Sequence, residues 1–141
     1  MPDISAEAAQ AVITAVVARA TQMGVTSNIA VVDSGCHLRA FLRMNGALLG
    51  SADVAIKKAK TSGLFNMSTD ELAKLTRPGA PLYGIEVTND GLVTFGGGTP
   101  ICDGNGVLLG AVGISGSTVE DDTLLAEVGA DAAVLEEARI R

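Results

Sequence analysis

The sequence predicts an α+β fold, a single domain in which an antiparallel β-sheet is flanked by helices. Three observations lead there. Apolar residues recur at helical spacing at both ends of the chain, while β-rich runs turned at Gly- and Asp-containing stretches fill its middle. No repeat or low-complexity linker divides the 141 residues, so 1–141 reads as one domain. Strands joined by short hairpins pair antiparallel, and flanking helices then pack on the sheet.

Each element follows in order. Ala9, Val12, Ile13, Val16, Val17 and Ala20 form one helical stripe, with Ser5 as N-cap, Glu7 in the first turn and Gly24 as stop. "SNIAVVD" reads as a buried strand and "HLRAFLR" as its alternating partner, so 27–43 is a hairpin turned at "DSG". After "MNGA", Leu48, Ala52, Ala55 and Ala59 give a second helix over 48–61. Ser68 with Glu71 is a capping box that opens a short third helix, and "RPGAP" is loop. "GLVTF" reads as a strand entering "GGGTP", and "ICDGNGVLLGAVGIS" as a hairpin turned at "DGNG". Ser117 or Thr118 caps a last helix, which 129–131 interrupts or bends.

Composition narrows the function. The chain is 48% apolar and 18% charged, against a usual charged share of about 25%. With three Phe, one Tyr and no Trp, the core is built from Ala, Val, Leu and Ile. So few charges cover a surface poorly, which points to burial between copies. The net charge is −6, and the densest basic stretch, "KKAK", lacks aromatic neighbours, which argues against nucleic acid. The N-terminus has no basic and apolar signal pattern, and apolar runs fall short of the roughly 20 residues that span a bilayer. Two cysteines make no disulfide framework. A soluble, cytoplasmic protein with no membrane partner is expected.

Phosphate motifs are absent: no P-loop exists, and "GNGVLLG" has the wrong spacing for a dinucleotide fingerprint. "FGGGTP" admits two readings, an anion nest of backbone amides or a tight crossover. Arg43, Met44, Asn45 and Gly46 leave a strand at a turn, where the guanidinium suits a carboxylate or pairs with a surface acid. Lys57, Lys58 and Lys60 read as a solvated helix face, Lys58 and Lys60 at different angles. His37, the one histidine, stands at a hairpin mouth near Asp33 and Cys36. Zinc spacing and a nucleophile elbow are both missing. The histidine is then a solvated turn residue, or an axial haem ligand, which needs one free ring nitrogen and an apolar shelf. Tyr83 is a candidate donor or general acid. The acids of "VEDD" fit a helix's first turn.

Five stretches, "IAVVDSGCHLRAFLRMNGA", "SADVAIKKAKTS", "PLYGIEVTNDGLVTFGGGTPI", "GVLLGAVGISG" and "VEDDTLLAEVGA", together resemble the GlcG/HbpS family, which includes the C-terminal domain of PduO-type proteins. The family pattern more often has Asp at position 45, Gly at 36 and Ala at 62, where this chain has Asn45, Cys36 and Ser62. The resemblance implies a profilin-like or PAS-like domain, homo-oligomers up to octamers, and links to haem and corrinoid metabolism.

The leading expectation is an oligomeric small-ligand binder, with haem as one ligand. Its pocket takes Arg43, Met44, Asn45 and Gly46, the helix segment from Lys58 to Thr61 with Lys60, then Tyr83 and the loop with Gly97, Gly98 and Pro100. His37 is its metal ligand if haem binds. The alternative is a cofactor-free enzyme on a small carboxylate or carbonyl compound, with Arg43 as clamp and Lys60, Tyr83 or Asp33 as proton carrier. A ligand-free accessory subunit is the third reading.

Overall fold

A computed structural model describes residues 2–141. The elements run α1 (Ala6–Met23), β1 (Asn28–Asp33), β2 (Leu38–Arg43), α2 (Gly50–Phe65), α3 (Thr69–Thr76), a 3₁₀ turn (Ile85–Val87), β3 (Gly98–Cys102), β4 (Leu108–Ser115) and α4 (Val119–Ile140). The four strands form one antiparallel sheet in the order β2-β1-β4-β3, so the expected α+β class holds.

Local chemistry sets the helix ends as expected. Ser5 Oγ accepts from the Ala8 amide at 3.0 Å, Ser68 Oγ from Glu71 and Thr118 Oγ1 from Asp121, both at 3.1 Å. Gly24 closes α1 in the left-handed region at φ +73°. Two expectations are corrected. "GLVTF" is not a strand: the Leu92 amide bonds the Glu86 carbonyl and the Val93 amide bonds Thr61 Oγ1, so its donors are taken by its own loop and by α2. The last helix is unbroken through Gly129, which is buried where a Cβ would press on Val12 and Val16 of α1. That glycine brings two helices together rather than ending one.

Alternation along the strands divides the core. Ile29 and Val31 of β1 and Val112 and Ile114 of β4 face α1 and α4, where they join Val12, Val16 and Leu125. Ala30, Val32 and Ala111 face α2, against Ala55 and Ala59. The second layer is built of small residues, so α2 lies close to the sheet; a Cβ on Gly113 would collide with the Ala55 carbonyl. Burying this apolar area drives the packing at about 25 cal/mol per Å².

The chain ends meet through Glu137, which is buried. Its carboxylate accepts from the Ser5 hydroxyl, the Ser5 amide and the Arg141 guanidinium. Burial alone would raise its pKa, but these donors more than offset that and hold it below the usual value of 4.5. Its stabilisation is therefore present above about pH 4.5 and is lost as pH falls through the lower folded value. Glu137→Gln is expected to cost about 2 kcal/mol at pH 7. Urea unfolding followed by circular dichroism should show that difference shrink toward pH 3.

Candidate functional site

The glycine run expected to cradle a ligand encloses a lysine instead. Lys58, on α2, is 0% exposed. Its ammonium donates to the Ile114 carbonyl at 2.7 Å and to Asp122 Oδ2 at 3.3 Å. The Phe95 ring centroid lies 5.1 Å from Nζ, so the third N–H side meets an aromatic face. Burial pushes the lysine below its ordinary pKa, and Asp122 partly restores it. The other oxygen of Asp122 accepts from the Ser117 amide at 3.2 Å.

The glycines are required by this arrangement. Gly97 sits at φ +124°, and a Cβ there would stand 2.5 Å from Lys58 Nζ. On Gly98 it would stand 2.6 Å from the Lys58 carbonyl oxygen. Gly98 donates its amide to Thr69 Oγ1 at 2.9 Å. Of the two readings of "FGGGTP", the tight crossover is therefore the one the fold uses. Gly97 and Gly98 are buried around protein atoms, and Pro100 lies in β3, an edge strand, where its missing N–H costs least.

The remaining candidates do not share one pocket within a chain. Thr61 is buried and spent internally, donating to the Lys57 carbonyl and accepting from Val93. Lys60 is exposed, and its carbonyl lies 3.8 Å from Cys36 Sγ, which puts it beside the β1–β2 turn. Tyr83 is exposed on the loop after α3, and its hydroxyl makes no hydrogen bond among the described residues.

Two exposed places remain. At the β1–β2 turn, Asp33 Oδ1 accepts from the amides of Gly35 and His37 at 3.0 and 2.9 Å and lies 3.4 Å from His37 Nδ1. Burial raises the Asp33 pKa, but these donors and the imidazole bring it below its usual value. Cys36 has φ +64°, the left-handed region that glycine occupies freely, which explains physically why a Gly suits this position. Burial and Asp33 push its thiol pKa up, so it is a poor nucleophile.

At the other end of β2, Gly46 (φ +84°) closes the turn after Arg43. Arg43, Met44 and Asn45 line a groove of about 350 Å³ with Leu42 and with Val17 and Thr21 of α1. Among the described residues no carboxylate pairs with Arg43, which leaves its fork free for an anion. A second cavity of about 260 Å³ lies between Leu109, Val134 and Arg141. No sequence signal foretold it, because its walls come from distant segments.

The sequence reading missed the Lys58–Asp122 pair, although Ala55, Lys58 and Ser62 lie at i, i+3 and i+7 on one buried stripe. Lys58→Met is expected to destabilise the fold by about 3–5 kcal/mol by stranding a buried carboxylate. Adding Asp122→Asn should recover about 1–2 kcal/mol in urea unfolding, since no charge then stays buried alone.

Comparison with known proteins locates the chain. A family model described as haem degrading protein HbpS-like matches residues 4–131. A 15.0 kDa protein of the dhaT–dhaS intergenic region of Citrobacter freundii is 41% identical over 129 residues, covering 91% of this chain and 90% of that one. The corrinoid adenosyltransferase PduO of the same organism is 43% identical over 114 residues, 80% of this chain but only 34% of PduO. Among solved structures, Klebsiella pneumoniae ORFY has a TM-score of 0.91 at 36% identity, over 94% of this chain and 92% of that one. A PduOC:haem complex has a TM-score of 0.87 at 37% identity, over 92% and 94%.

Proposed function

The chain belongs to the HbpS-like family, and from that premise we propose that it is a homo-oligomeric binder of haem or a related tetrapyrrole. In this reading His37 faces the metal and Arg43 holds a carboxylate. The haem carried by the PduOC neighbour supports the ligand class. The observation that carries the reading is the state of His37. Its side chain is 82% exposed and Nδ1 points at Asp33, which favours the tautomer with its proton there and leaves the Nε2 lone pair for a metal. An imidazole oriented by a carboxylate in this way fits the donor requirement of haem iron. Bound haem would supply iron-centred ligand and redox chemistry; the chain would orient the imidazole and neutralise the acid groups.

Haemin titration tests this. Wild type should give a saturable Soret change, His37→Ala should abolish it, and Arg43→Ala should weaken binding about tenfold, the worth of roughly 1.4 kcal/mol. An unsaturable change, or one indifferent to His37, would overturn the reading.

The groove beside Arg43 favours a second reading, the binding of a small carboxylate. At about 350 Å³ it lies at the low end of ligand-site volumes. Asp33 and Lys60, the proton carriers of the enzyme alternative, lie at the far end of β2, so this reading is one of binding. A carboxylate that raises the wild-type melting temperature, but not that of Arg43→Ala, would establish it; no hit across a broad panel would leave an accessory role.

A further inference from the structure

β2 is an open edge. Among the described residues, nothing outside β1 hydrogen-bonds to residues 38–43. Leu38, Phe41 and Leu42 are 49, 37 and 38% exposed, so the strand is bare on both faces as well as along its edge. Unpaired edges of this kind template further strands. The two groups assigned to the ligand stand at its opposite ends. His37 and Arg43 are six residues apart along an extended chain, roughly 20 Å. That distance exceeds the span from the metal of a porphyrin to its carboxylates, so one copy cannot hold one ligand with both.

We propose that two copies pair antiparallel along β2 about a two-fold axis at Ala40, so that each ligand site takes His37 from one copy and Arg43 from the other. A two-fold axis reverses the strand and therefore brings opposite ends together. The sequence "HLRAFLR" is self-complementary in this register. Ala40 faces Ala40 at the axis, where small side chains allow close approach. Leu38 faces the partner's Leu42, Arg39 faces the partner's Phe41 as a cation–π pair, and His37 faces the partner's Arg43. Shifting the axis to Phe41 would oppose Arg39 and Arg43, two like charges. The segment between Asp33 and Asp53 carries no carboxylate. An anionic ligand at each end would supply the charge that the paired strands lack.

The pairing stands independently of the ligand; the shared site rests on the haem reading. Ala40→Cys in a Cys36→Gly, Cys102→Ser background should form a covalent dimer on oxidation, with Val107→Cys, at the tip of the β3–β4 hairpin, as a control that stays monomeric. An Ala40→Cys chain that cross-links no more than this control overturns the pairing. For the site, His37→Ala and Arg43→Ala chains are refolded together and titrated with haemin near the wild-type dissociation constant. Random assortment gives half mixed dimers with one intact site each, so about a quarter of wild-type saturable binding should return. A mixture no better than its components overturns the shared site. If wild type takes no haemin, the haem reading and the shared site fall together, and the cross-link still decides the pairing.

Discussion

The buried ammonium of Lys58 is the constraint around which the rest of the molecule is arranged. A lysine with no exposed surface needs its charge balanced and its protons accepted, or burial costs several kcal/mol. Asp122 and the Ile114 carbonyl meet that need, and Phe95 closes the remaining side. Each partner comes from a different element: α4, β4 and the loop before β3. Satisfying one side chain therefore ties both faces of the sheet together.

Other features of the sequence are consequences of that arrangement. The glycine run before β3 has no side chains because Lys58 and Thr69 occupy the space they would take. Alanines and Gly113 on the α2 face let the helix lie near enough for Lys58 to reach Ile114. Asp122, read from sequence as a helix-dipole acid, does that work and also accepts the Ser117 amide. The same fold leaves β2 outside: α2 lies over β1, β4 and β3, and the strand with the free arginine and the exposed histidine is the one least covered.

Legibility followed the range of the interaction. Caps, the Gly24 stop and both hairpins depend on residues within a few positions of one another, and they were readable. Phe95 and Gly129 were misplaced because their roles depend on contacts with Lys58 and with α1, which no local window contains. The candidate site split for the same reason. Arg43, Lys60 and Gly97 are adjacent in an argument about chemistry, but they are separated in space by the length of β2 and by a lysine that fills the glycine loop.

By itself, the sequence determined the fold class, the element types and the family, because each rests on periodicity, capping chemistry or motifs in series. It also singled out Arg43 and His37 as residues able to hold an anion and a metal. Only the tertiary structure decided which lysine is buried and why three glycines precede β3. It also showed that Arg43 and His37 lie at opposite ends of an open edge. Those facts depend on which distant backbones approach one another, and side-chain packing sets that rather than the order of residues along the chain.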